Sequence, residues 1–147
     1  MDQGRGRNIL NMMNLLPREL VDIIRSYIPP EMTLWLERTS YIQHHYLVWG
    51  MVPDHLKDAY IRDTIRNDNA FVFGHIIRER IGEWSKHRKY KYNGATYCDY
   101  LHFVYAFACS SGSTSCTSLI RSIAGETLGT NWHKRDGVKY TRNQWTA

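Results

Sequence analysis

Acidic residues are scarce in the second half of this sequence, cysteines are few, and long apolar runs are missing. Each shortage excludes something. From Ser85 onward there are nine Arg/Lys against three Asp/Glu, a net of +6; through Trp84 there are ten against eleven, a net of −1. Any affinity for phosphate or for an acidic partner is therefore expected in the second half. The three cysteines, Cys98, Cys109 and Cys116, are odd in number and irregularly spaced, which does not suit a disulfide framework. Taken with His133 they leave gaps of ten, six and sixteen residues, without the close Cys pair of a structural zinc site, so no metal is expected. No stretch approaches the roughly 20 apolar residues that span a bilayer. The opening MDQGRGRNILNMMNLL has no long apolar run and no small-residue cleavage site. The expectation is a soluble, intracellular protein of a reducing compartment, with no membrane partner.

Catalytic signatures are missing too. There is no Gly-x-Ser-x-Gly elbow and no His-Glu-x-x-His. NGATY and SSGSTSC lack the glycine spacing and the lysine of a phosphate-binding loop; the second reads as a turn plus a helix cap. His44 and His45 are adjacent in a helical stretch, about 100° apart around the axis, so one is expected to be packed and the other solvated. Neither enzymatic activity nor a cofactor is expected.

What is present is apolar material for a core, at 43% hydrophobic and 13% aromatic residues, arranged mostly at helical spacing. Leu16, Leu20, Ile23, Ile24, Tyr27 and Ile28 recur as a stripe between Pro17 and the Pro29-Pro30 stop. A second helix is predicted over 31–37 with Met32, Trp35 and Leu36 inward, and a third over 40–48 with Tyr41, Ile42, His45 and Tyr46. Asp54 is a candidate cap for a helix burying Leu56, Tyr60, Ile61 and Ile65. Asn69 is a candidate cap for a longer one with Phe73, Ile76, Ile77, Ile81 and Trp84 on one face. Two further helices are predicted over 100–108 and 116–123, with Gly125 ending the second. Two helix pairs thus stand out, at 55–84 and 100–124, each needing a neighbour to bury its face.

Between the pairs, KHRKYKYNGATY (86–97) alternates basic and aromatic residues around Asn93-Gly94, a strong hairpin signal. Lys86, Arg88, Lys89 and Lys91 here, with Lys134, Arg135, Lys139 and Arg142 in the tail, are candidate contacts for phosphate or an acidic partner. The tyrosines either stack on bases or pack back onto the helices. Trp132 and Trp145 are expected to anchor the tail, and Asp136-Gly137 to turn it.

The stretch LLPRELVDIIRSYIPPEMTLWLERTSYIQHHY resembles an F-box-like motif, with Leu16, Pro17, Glu19, Leu20 and Ile24 at its Leu-Pro, Glu-Leu and stripe places. The chain as a whole is similar to a family of short proteins from giant DNA viruses that join such an N-terminus to degenerate ankyrin-like helix pairs. The matching segments are YIRDTIRNDNAFVFGHII, KYKYNGATYCDYLHFVYAFACSSGSTSCTSLI and HKRDGVKYTRNQW. The Thr-Pro-Leu-His opening of regular ankyrin repeats is absent, so that likeness is one of architecture.

The resemblance implies a mainly α fold. An F-box-like three-helix segment would pack on two ankyrin-like helix pairs, with a short basic hairpin or finger between them. The expected layout is a mobile 1–10, an F-box-like 11–52, helix pairs over 53–125 and a basic tail over 126–147, together forming one compact unit. It also implies a non-catalytic interaction module in the host cytoplasm or the virion. Leu16, Pro17, Leu20 and Ile24 would meet a protein partner, either a host ubiquitin-ligase adaptor or another viral protein. The alternatives are a structural virion component, such as a minor capsid or core protein, and a nucleic-acid binder using the basic second half.

Overall fold

The structure, a computed structural model, describes residues 15–134 and 139–140. It is mainly helical, with one small sheet. The chain divides into two compact units, Met1–Met51 and Val52–Ala147, where the sequence suggested one. The division falls beside Pro53, whose missing N–H keeps the preceding helix from running on.

In the first unit, Pro17 holds the cap position of α1 (Arg18–Ser26), with Glu19 in its first turn and Arg25 in its last, both favourable to the helix dipole. Pro30 then opens α2 (Pro30–Thr33). The helix predicted over 31–37 stops at Thr33, and Met32, Trp35 and Leu36 face outward rather than inward. Leu34 is the buried residue instead. At helical pitch it lies about 200° from Met32 and from Leu36, so burying one exposes the others. The helix predicted over 40–48 is broken into α3 (Arg38–His44), a 3-10 turn (His45–Leu47) and α4 (Val48–Met51). Tyr41 and Val48 are buried, whereas Ile42 and Tyr46 are exposed. The switch from 3.6 to three residues per turn throws the expected stripe off one face. It also leaves His44 and His45 both half-buried, rather than one packed and one solvated.

The second unit is built on two helix pairs. A 3-10 turn (Asp54–Leu56) leads into α5 (Lys57–Arg66). Asp54 does not cap it; Pro53 sits at the turn's cap position and the Asp54 carboxylate pairs with Lys57. Leu56 is exposed, contrary to expectation, while Ile61 and Ile65 are buried. Asn69 caps α6 (Ala70–Trp84) by accepting from the Val72 N–H at 3.2 Å. Phe73, Ile76, Ile77, Ile81 and Trp84 are all buried, as their spacing predicts. The finger is a hairpin of β1 (Arg88–Tyr92) and β2 (Ala95–Asp99). Asn93 and Gly94, with φ of 45° and 76°, make the two-residue turn that suits strand twist. A third strand, β3 (Lys139–Tyr140), pairs antiparallel with β2, an addition that tail composition did not signal.

The second pair is α7 (Tyr100–Ser110) and α8 (Thr114–Leu128). Gly125 does not end α8; the helix runs through it to Leu128, and Gly129, at φ 91°, ends it. α5 packs on α7 and α6 on α8, so the pairs stack in register around Ile65, Phe73, Ile77, Leu101, Phe103 and Ile120. Burying each such side chain stabilises the fold by roughly 1.5–3 kcal/mol. The turns of the two pairs are cross-linked by polar groups. The Ser113 hydroxyl donates to the Ile65 carbonyl. Asp68 accepts from the backbone N–H groups of Ser115 (3.2 Å) and Cys116 (2.9 Å). The cap expected from SSGSTSC itself therefore comes from the other pair, because Ser113 spends its hydroxyl on Ile65. Trp132, in a closing 3-10 turn (Trp132–Lys134), is buried as expected. Trp145 and the Asp136-Gly137 turn lie outside the described residues.

Candidate interaction surfaces

In α1, the i, i+4 series Leu16, Leu20, Ile24 forms one ridge, and Ile23 and Tyr27 form the next. Pro17 fixes the entry: its carbonyl accepts from the N–H groups of Leu20 (3.0 Å) and Val21 (3.2 Å). No residue of α1 is buried. Leu20 is 47% exposed and Ile24 40%, while Val21 and Ile28 are only half-exposed and mark the inward side. The four partner-binding candidates Leu16, Pro17, Leu20 and Ile24 thus lie together on an open surface. The imbalance extends through the unit. Every exposed large hydrophobic side chain among the described residues falls between Leu15 and Leu56. In the first unit only Leu34, Tyr41 and Val48 of the described apolar side chains are buried.

Beside this ridge runs a groove of about 710 Å³ whose walls include Leu16, Val21, Ile28 and Leu36. Arg25 and Glu37 form an ion pair across it. His44 lines the same groove, and its Nδ1 is shielded from solvent without a hydrogen-bond partner among the described residues. A buried imidazole nitrogen without a partner is costly, so an incoming donor or acceptor is favoured there.

Comparison with family models, with curated proteins and with solved structures finds no match to this chain.

The basic finger presents two different faces. Along β1, Tyr90 and Tyr92 are half-buried and Lys91 between them is exposed, as strand alternation requires, while Arg88 and Lys89 are both exposed where the left-handed φ of Lys89 (58°) breaks the alternation. Tyr90 and Tyr92 pack on Phe103, with ring centroids 4.6 and 4.9 Å away, and Tyr97 joins them at 5.3 Å. Arg62 covers Tyr92 at 5.2 Å. Of the two fates open to these tyrosines, packing onto the helices is the one adopted, and it leaves the rings half-buried. Lys86, Arg88, Lys89 and Lys91 are all exposed. Lys134 is exposed at the end of the last 3-10 turn, remote in sequence from the finger. Lys139 reaches the sheet through β3, opposite Thr96. Arg135 and Arg142 lie outside the described residues.

Several polar groups with structural roles escaped the sequence reading. Asp58 accepts from the hydroxyls of Tyr90 (3.2 Å) and Tyr100 (3.0 Å), tying α5 to the hairpin and to α7. Burial, then the Asp58 charge, pushes the Tyr90 hydroxyl up to about 12, and the same causes raise Tyr100 further. Asp99 caps α7 by accepting from the His102 N–H at 2.8 Å. Its own burial would raise its pKa, but the hydrogen bonds from the His102 ring and backbone outweigh this and hold it low. An Asp directly before an apolar helix was the available signal. Cys98, Asp99 and His102 bring three metal-capable atoms within 4.8 Å of one another. However, His102 Nδ1 lies 2.7 Å from Asp99 Oδ1, and Nε2 lies 3.1 Å from the Trp132 carbonyl. Both ring nitrogens are engaged, Nδ1 with the cap residue of α7 and Nε2 with the tail turn, which accounts for the cluster structurally.

Proposed function

We propose that this protein is a non-catalytic interaction module whose N-terminal unit docks a partner protein through the α1 ridge. One observation carries the reading: among the described residues the exposed large hydrophobic side chains all fall between Leu15 and Leu56, nearly all in the first unit, while beyond Leu56 the second unit exposes none. Contiguous exposed apolar surface of this kind marks interaction sites. Leu16, Leu20 and Ile24 are spaced as helix-in-groove anchors. The F-box-like pattern that these positions share with Pro17 and Glu19 favours one occupant, the F-box-binding adaptor subunit of a host ubiquitin ligase. The chain would then be a viral adaptor acting inside the host cell, with the stacked pairs of the second unit carrying other contacts.

The test is a titration of the full chain with purified adaptor subunit. Saturable binding is expected, weakened at least tenfold by Leu20→Asp plus Ile24→Asp in a variant whose circular dichroism is unchanged. No binding by the parent chain, or equal binding by the folded variant, sinks the adaptor reading. Sedimentation of the chain alone checks the other use of the same ridge, since a dimer disrupted by these substitutions would assign it to a second copy.

A further inference from the structure

The finger of the second unit carries a surface unrelated to the α1 ridge. Lys86, Arg88, Lys89 and Lys91 are exposed within six consecutive positions. Their side chains make no hydrogen bond or ion pair with any described residue. The carboxylates that could have neutralised them are otherwise engaged. Asp58 takes two tyrosine hydroxyls, Asp99 takes the α7 cap and the His102 ring, and Glu83 pairs with Arg80. A hairpin that holds its cations in the open, while the nearby carboxylates are hydrogen-bonded or paired elsewhere, is matched to an external polyanion.

We propose that the outer face of this hairpin binds the phosphate backbone of double-stranded nucleic acid without reading its bases. Three observations select this partner. Tyr90, Tyr92 and Tyr97 are half-buried against Phe103, which disfavours their use as the open aromatic platforms that single strands require. From residue 57 onward no large hydrophobic side chain is exposed among the described residues, so this face has nothing to insert into lipid and no apolar anchor for an acidic protein. The cations are also dense: four lie within six consecutive positions, so one short stretch of hairpin can face several neighbouring phosphates, although Lys89, at φ 58° and outside the register with β2, departs from ideal strand spacing.

The test is fluorescence anisotropy of the full chain with a labelled DNA duplex of arbitrary sequence, repeated over a range of salt. Binding is expected to be indifferent to sequence, with log affinity falling against log salt at a slope of about −3 for three to four neutralised phosphates. Lys89→Glu plus Lys91→Glu changes two exposed positions; it is expected to leave the thermal midpoint alone, weaken binding at least tenfold and flatten the slope by about 2. Leu20→Asp is expected to have no effect, which separates this surface from the α1 ridge. The proposal is overturned by absence of duplex binding at low salt, by a slope near zero or by unchanged binding in the charge-reversed variant. Tighter binding to single strands, to anionic vesicles or to polyglutamate than to duplex also overturns it.

Discussion

Asp68, in the turn of the first helix pair, accepts the backbone N–H of Cys116 in the first turn of α8 at 2.9 Å, so one pair caps a helix of the other. Together with its bond from Ser115, this satisfies two donors that no intrahelical carbonyl can reach. The carboxylate also meets the positive end of the α8 dipole. Asp68 adopts φ 47°, a left-handed conformation that Asp tolerates better than most residues. Asp68→Ala loses both acceptors and places alanine at that φ; a thermal midpoint several degrees lower is expected. Asp68→Asn keeps one acceptor oxygen and should recover part of the loss.

The same contact predicts acid sensitivity. Hydrogen bonds from the Cys116 and Ser115 N–H groups, the former dominant, hold the Asp68 carboxyl below its ordinary 3.8. A carboxyl depressed in the folded state contributes stability that is complete above its unfolded value and is lost as pH falls through the folded one. Asp99 acts in the same direction. Denaturation midpoints should therefore hold down to about pH 5 and then fall, and Asp68→Asn should flatten that fall.

At the alkaline end the sign reverses. Tyr90 and Tyr100 keep their protons well above the ordinary value of 10, first through burial and then through the Asp58 charge. Their stabilisation is present below that value and is lost as pH rises through the folded ones. Ultraviolet titration of the native chain should show two tyrosines resisting ionisation, and Asp58→Asn should bring both down.

Phe103 is the hub beneath the finger, in ring contact with Tyr90, Tyr92, Tyr97, Tyr100 and Phe107. Phe103→Ala should cost about 3–5 kcal/mol in denaturant titration. In the first unit, Leu34→Ala removes a fully buried side chain and should cost about 2–5 kcal/mol. Leu20→Asp, on the open ridge, should stay within about 0.5 kcal/mol. If Leu20→Asp proves as damaging as Leu34→Ala, the ridge is core and not surface.

Thiol reactivity gives an independent check on packing. Cys109 is exposed, whereas burial and the adjacent Asp68 push the Cys116 thiol up to about 12. Alkylation of the native chain should modify Cys109 readily and spare Cys116 until the protein unfolds.

Local signals in the sequence were enough to determine much of the second unit. The Asn69 cap, the apolar face from Phe73 to Trp84, the Asn93-Gly94 turn and the start of α7 all depend on neighbours within a few residues. Helical periodicity and turn chemistry encode these directly. The first unit was less legible, because its helices are short. Over one or two turns, apolar spacing does not say which residue faces inward, and Leu34 rather than Met32 or Leu36 was chosen by the packing around it. Periodicity marked Leu16, Leu20 and Ile24 as apolar but could not distinguish a core stripe from an open ridge; that depends on whether anything covers them. Likewise, composition named the finger's cations and tyrosines. Only the fold of α5 and α7 around Asp58 and Phe103 turned the rings inward and left the lysines free, because contacts between residues far apart in sequence leave no periodic trace in it.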